Sequence, residues 1–208
     1  MKEILYDWNG ANVWLFHFIN DIRGDTLDRV MTFGSQLGAP LSFSNYLGLI
    51  ALFAVAHVAH VTRRHATLVH EQTLRWLALI AVFAIAYVID TVIVSMLKYW
   101  LDFPRPPLAL GAAAVHSIGA PEFHHSLPSG HASFAALLAA SLWPALNRYG
   151  RIAAILYVLW VGVSRVSLGV HFPADVLLYS FTLSLAVVLP IRSFVYSTLG
   201  VVPSRPAV

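Results

Sequence analysis

Ser164-Arg165-Val166-Ser167-Leu168-Gly169-Val170-His171-Phe172-Pro173-Ala174-Asp175 lies between two long apolar runs and sets an arginine, a histidine and a carboxylate close together. An arginine presents a rigid fork of donors suited to an oxyanion. A histidine works as nucleophile or proton carrier near neutral pH. A carboxylate shortly after it can hold the imidazole in one tautomer, as the third member of a triad does. Charged groups at the edge of membrane-length apolar runs are costly unless solvated or paired, so the cluster marks a functional site.

Outward from this stretch the composition sets the class. Of the 208 residues, 58% are hydrophobic and only 11% charged. A soluble domain carries about a quarter charged residues, so the excess apolar surface faces lipid. The formal charge of +3 comes from scattered lysines and arginines with no basic stripe, which argues against a nucleic-acid partner. With no cysteine, disulfides, thiolate catalysis and cysteine-type zinc sites are excluded. Residues 1–10 lack a basic region followed by an apolar run, so no cleaved signal is expected.

The pattern predicts an all-α integral membrane protein of about five spans, at roughly 41–61, 74–97, 131–146, 152–168 and 174–196. Residues 4–20 and 26–37 repeat apolar positions near a helical period, but Asp21, Arg23, Asp25, Asp28 and Arg29 forbid a span there. They read as amphipathic helices in the interface, anchoring the chain or packing on the bundle. The expected division is 1–40 for these helices, 41–197 for the membrane core and 198–208 for a tail. The connection over 99–128, rich in Pro, Gly and His, is long and polar enough to be a functional loop.

Counting crossings places Lys98, Arg105, Ser129, His131, Arg165, His171 and Asp175 on one membrane face. The other face collects Arg63, Arg64, Arg75, Arg148, Arg151, Arg192 and Arg205. The positive-inside rule then puts the first face outside the cytoplasm, with the N-terminus outside and the C-terminus inside.

Three blocks meet on that outer face. They are Lys98-Tyr99-Trp100-Leu101-Asp102-Phe103-Pro104-Arg105-Pro106, then Pro128-Ser129-Gly130-His131, then the opening stretch. Together they resemble the type 2 phosphatidic acid phosphatase superfamily, whose signature runs K-x6-R-P, P-S-G-H and S-R-x5-H-x3-D. Every position matches, in order, and the resemblance covers about residues 41–196.

The resemblance implies phosphate transfer at a membrane surface with no metal and no cofactor. Lys98, Arg105, Ser129, Gly130 and Arg165 would bind phosphate, the amides at the start of the third span pointing at the anion. His171 would attack phosphorus and carry it as phosphohistidine. Asp175 would orient His171, and His131 would protonate the departing lipid oxygen and then activate water. Transition-state donors of this kind are worth about 3–4 kcal/mol each. Each residue also has a plainer role: Lys98 and Arg165 as snorkelling side chains, Ser129 as an N-cap, Asp175 as a dipole partner in a first helical turn.

Outside the blocks, Asp90 sits inside the second span, where an ionisable residue is a functional hypothesis by default. At eight residues from Lys98 it is turned away from it, which leaves either a neighbouring helix or support of the site. His116, Glu122, His124 and His125 have no diagnostic metal spacing and suit head-group contacts or a solvated lid. Asp102 reads as structural, and Trp76, Trp100 and Trp143 as interfacial belts.

The family reading is a lipid phosphatase in a bacterial inner membrane, its site facing the periplasm or exterior. Its partners are the bilayer and a lipid phosphate. The short chain looks most like undecaprenyl diphosphate phosphatases. Phosphatidylglycerophosphate, phosphatidate and lipid A phosphatases and lipid phosphotransferases share the blocks. Vanadium haloperoxidases share them too, but the apolar spans argue against a soluble protein. A lipid-binding scaffold or flippase is the non-enzyme rival, and it has no need of His131, His171 and Asp175 together.

Overall fold

Apolar runs in lipid become helices because only internal hydrogen bonds satisfy their backbone there. A computed structural model describes residues 7–201. Most of the expected tail over 198–208 lies outside these, as do Ile4 and Leu5 of the first helical pattern. The described elements are α1 (Ala11–Asn20), α2 (Asp25–Leu37), α3 (Phe43–Arg64), α4 (Val69–Leu101), α5 (Pro106–Ala109), α6 (Gly130–Leu142), α7 (Arg148–Ser167) and α8 (Phe181–Thr198). A π turn, Asp175–Ser180, leads into α8.

Among the described residues, four stretches are long and apolar enough to cross a membrane: Pro40–Arg64, Ala66–Ala109, Arg148–Ser167 and Asp175–Thr198. The chain is a multi-pass, all-helical membrane protein. Its outer surface is paved with exposed side chains such as Leu52 and Phe53 of α3, Val88 and Val92 of α4, Leu156 of α7 and Phe194 of α8.

The expected span at 131–146 differs from the others. Helix α6 has 13 residues, about 20 Å at 1.5 Å per residue and short of a hydrocarbon core of about 30 Å. Pro144 breaks it, and Trp143–Ala145 continue as a 3₁₀ turn. Nine of its residues are buried, so α6 is the inner helix that α4, α7 and α8 enclose. Phe134 and Leu137 pack there against Phe83 of α4, Val188 of α8 and Ile50 of α3.

The N-terminal pair packs on α7. A Cβ on Gly34 would lie 2.6 Å from the Trp160 indole, and one on Gly38 would lie 2.3 Å from Val161. Glycine at these two places lets the backbones of α2 and α7 approach closely. The carbonyl of Leu37 at the end of α2 accepts from the hydroxyls of Tyr46 and Tyr157 at 2.8 and 3.0 Å. Helix α1 turns Trp14 and Phe18 outward, stacked at 5.6 Å. Its other side buries Asn12, Phe16 and Asn20.

Candidate active site

Each signature block ends a helix or begins one, and the ends gather at one end of the bundle. Lys98 is in the last turn of α4 and Arg105 immediately precedes α5. Ser129 precedes α6 and His131 lies in its first turn. Arg165 is in the last turn of α7. The chain then reverses at Gly169, whose φ of +72° is a left-handed conformation that favours glycine. A Cβ there would also meet the His116 carbonyl at 2.5 Å.

His171 and Asp175 come together across this turn, both fully buried. Nδ1 of His171 is 3.3 Å from Oδ2 of Asp175. The same oxygen accepts from Ser126 Oγ at 2.5 Å and from the Phe172 amide at 2.9 Å. A carboxylate so placed accepts from Nδ1–H, which leaves the lone pair on Nε2. That nitrogen faces Nη1 of Arg105 at 3.5 Å. Burial, then the charges of Arg105, Arg165 and Lys98, hold the His171 imidazole well below the ordinary 6.5. The ring therefore stays neutral, with Nε2 turned toward the Arg105 guanidinium.

The cations are set largely by backbone. Arg105 donates from Nε to the His124 carbonyl at 2.9 Å and from Nη1 to the Val170 carbonyl at 3.1 Å. Its own amide donates to Phe123 O at 2.8 Å. Lys98 Nζ donates to His125 O at 2.8 Å. Three consecutive carbonyls of the long loop thus fix Lys98 and Arg105. Nη2 of Arg105 is 2.6 Å from Oε2 of Glu122, a mostly exposed carboxylate. Arg165 is held from another direction, its Nη1 donating to Ser35 Oγ of α2 at 2.5 Å.

Ser129 is placed differently from expectation. Its amide is engaged inside the fold, donating to Ser180 Oγ at 3.0 Å and to Asp175 O at 3.4 Å. Its carbonyl takes the Ser133 amide, as an N-cap does, but its side chain makes no capping bond. The Oγ is buried with no hydrogen-bond partner among the described residues. What this serine offers an anion is therefore its hydroxyl. His131, half-buried beside it, lies within electrostatic reach of Arg165, Lys98 and Arg105.

The remaining polar residues now have places. Asp90 is buried and accepts from Ser184 Oγ at 3.3 Å, a hydroxyl that also lies 2.9 Å from the Ser133 carbonyl, so it links α4, α8 and α6 below the site. Asp102, in a left-handed turn, faces the rings of His124 and His125 at 3.3 and 3.1 Å. His116 is held by the N-terminal pair. Asn20 Oδ1 accepts from its amide and Nδ2 donates to its carbonyl, both at 2.9 Å, while its Nε2 lies 3.2 Å from Asp28. Nδ2 of Asn20 also reaches the Ser167 carbonyl at 2.9 Å, and Asn12 Oδ1 accepts from the Ala174 amide at 2.9 Å.

Ser126, Ser35, Asn12, Asn20 and Ser180 also contribute to the site, and none of them belongs to the three blocks. Ser126 carried a faint signal, lying two residues before Pro128. The others are short polar residues in helical patterns, which an interfacial helix would also show.

The chain belongs to the PAP2 superfamily, whose family model matches residues 75–198, from early in α4 to the end of α8. Among curated proteins it is 34% identical over 116 residues to phosphatidylglycerophosphatase B of Bacillus subtilis (strain 168). That alignment covers 50% of this chain and 52% of the relative, so the chain spans about half the length of the curated relative it matches. The fold is that of the crystal structure of Aquifex aeolicus LpxE, with a TM-score of 0.71, 23% identity and coverage of 88% of this chain and 95% of that one. It is also similar to the crystal structure of the first transmembrane PAP2 type phosphatidylglycerolphosphate phosphatase from Bacillus subtilis. There the TM-score is 0.62 at 27% identity, over 91% of this chain and 86% of the other.

Proposed function

We propose that this protein is a membrane lipid phosphatase that works without a metal through a phosphohistidine on His171. The observation that carries the reading is the His171 ring, with Nδ1 against Asp175 and Nε2 turned to Arg105. Nε2 attacks phosphorus as the bond to the lipid oxygen breaks, and His131 gives that oxygen its proton. Lys98, Arg105, Arg165, the Ser129 hydroxyl and Gly130 bind the phosphoryl oxygens. Asp175 keeps the proton on Nδ1 and balances the charge of the intermediate. His131 then takes a proton from water, the water oxygen bonds to phosphorus, and the P–N bond breaks to release phosphate and neutral His171.

The positive-inside count favours a site on the outer face of a bacterial inner membrane, where a lipid keeps its tails in the bilayer. Undecaprenyl diphosphate is the first candidate substrate, since the three blocks that end the helices match those of undecaprenyl diphosphate phosphatases. Phosphatidylglycerophosphate is the second, favoured by the names of the Bacillus relatives. The test is phosphate release by detergent-purified protein beside His171→Ala, with EDTA present. The panel holds undecaprenyl diphosphate, phosphatidylglycerophosphate, phosphatidate and a lipid A 1-phosphate. Release that survives EDTA and vanishes in the variant is expected, and the fastest lipid identifies the substrate. Absence of release from every lipid overturns the hydrolase reading and favours the scaffold.

A further inference from the structure

Helix α2 lies outside the region that the family model matches, yet it touches the anion-binding set directly. Ser35 is buried, and its Oγ takes the Nη1 proton of Arg165 at 2.5 Å. This is the one hydrogen bond described for the Arg165 side chain, and Nε of the same guanidinium is buried with no partner among the described residues. An unspent buried donor on an arginine is costly unless something is to receive it. With Nη1 tied back to α2, the plane of the guanidinium is fixed and Nε remains for an incoming oxyanion. The tether itself is rigid: Gly34 and Gly38 hold α2 against Trp160 and Val161 of α7, and two tyrosine hydroxyls close the end of α2 at Leu37. Arg105 and Lys98 have several carbonyls to place them, whereas Arg165 has this serine.

We propose that Ser35 is a positioning residue for the phosphate-binding arginine Arg165, so that α2 belongs to the catalytic unit. The inference rests on the reading that Arg165 binds the reacting phosphate. Losing the tether leaves the charge in place and frees the guanidinium to swing. The penalty then falls on transition-state geometry, and misplacement of about 1 Å costs up to about 100-fold.

The experiment is a double-mutant cycle in the full-length protein, on whichever lipid of the panel the wild type hydrolyses. Wild type, Ser35→Ala, Arg165→Ala and the double variant are compared, with Ser35→Thr as the conservative control that keeps the hydroxyl. Ser35→Ala should lower kcat by about 10- to 100-fold with little change in KM, and Ser35→Thr should recover most of the loss. In the Arg165→Ala background Ser35→Ala should cost nothing further, because residues acting as one unit are non-additive. An equal loss in both backgrounds makes Ser35 a packing residue and overturns the inference, as does a Ser35→Ala protein with wild-type kcat. If Arg165→Ala itself keeps full activity, the assignment of Arg165 to the phosphate falls instead.

Discussion

The helices from α4 to α8 and the pair α1–α2 reach the same pocket with opposite means. The first group sends long charged side chains and two histidines, at fixed intervals along the chain. The second sends Asn12, Asn20 and Ser35, short neutral groups that touch a backbone or a guanidinium and have no chemistry of their own. The difference separates two tasks. Groups that meet a phosphate need charge or a lone pair, so their types are restricted. Groups that hold those in place need one hydrogen bond at the right point, which many residues can supply. The family signature records the first task and, of the second, only Asp175; it leaves out Asn12, Asn20 and Ser35.

The contrast breaks most easily on the signature side. His171→Ala should abolish phosphate release, a loss of about 10⁴-fold or more; a variant that retains a tenth of wild-type turnover would move the nucleophile elsewhere. Asp175→Asn should cost roughly 10³-fold in kcat, because an amide opposite Nδ1 no longer fixes the tautomer or balances the charge. Rapid-quench detection of the phosphoenzyme should show its formation slowed. The N-terminal side is probed by Asn20→Ala, which strands the amide and carbonyl of His116 and the carbonyl of Ser167. The expected effect is a stability loss of about 2–4 kcal/mol, read as a lower thermal midpoint in detergent, with faster proteolysis of the 111–125 loop. A fall in kcat with an unchanged midpoint would instead make Asn20 part of the reaction machinery. The smallest effect is expected at Glu122, whose carboxylate covers Nη2 of Arg105. Glu122→Gln should lower KM and the inhibition constant for inorganic phosphate together, about two- to fivefold, since an exposed ion pair is weak. The gain should fade as salt is raised. A raised KM would mean that Glu122 orients Arg105 rather than competing for it.

Much of this was legible in the chain. The apolar runs located the bundle, and the three blocks located the end of it where Lys98, Arg105, Ser129, His131, Arg165, His171 and Asp175 meet. What escaped has physical reasons. Helix α6 looked like the other runs because an enclosed helix and a lipid-facing one are both apolar all round; only its stop at Pro144 and its burial separate them. The carbonyls of Phe123, His124 and His125 that fix Lys98 and Arg105 were invisible, because every residue type carries the same carbonyl. Asn20 and Ser35 were hidden in helices whose polar positions seemed bound for water. Asp90 stands out in its apolar run, but its partner Ser184 lies 94 positions away and only packing makes them neighbours.

The π turn at Asp175–Ser180 carries a further consequence. Such a turn amounts to one residue inserted into an α-helix. Its first carbonyl, on Asp175, accepts from the Ser180 hydroxyl at 2.6 Å and from the Ser129 amide, so the second and third signature blocks are tied together there. Deleting one residue would restore an ordinary helix and rotate everything beyond it by about 100°. Ser184, Val187 and Val188 would leave their partners while Asp175 stayed with His171. Leu177 and Leu178 are exposed on the apolar outer surface. In this stretch the number of residues between Asp175 and Ser180 sets the geometry as much as the two side chains themselves do.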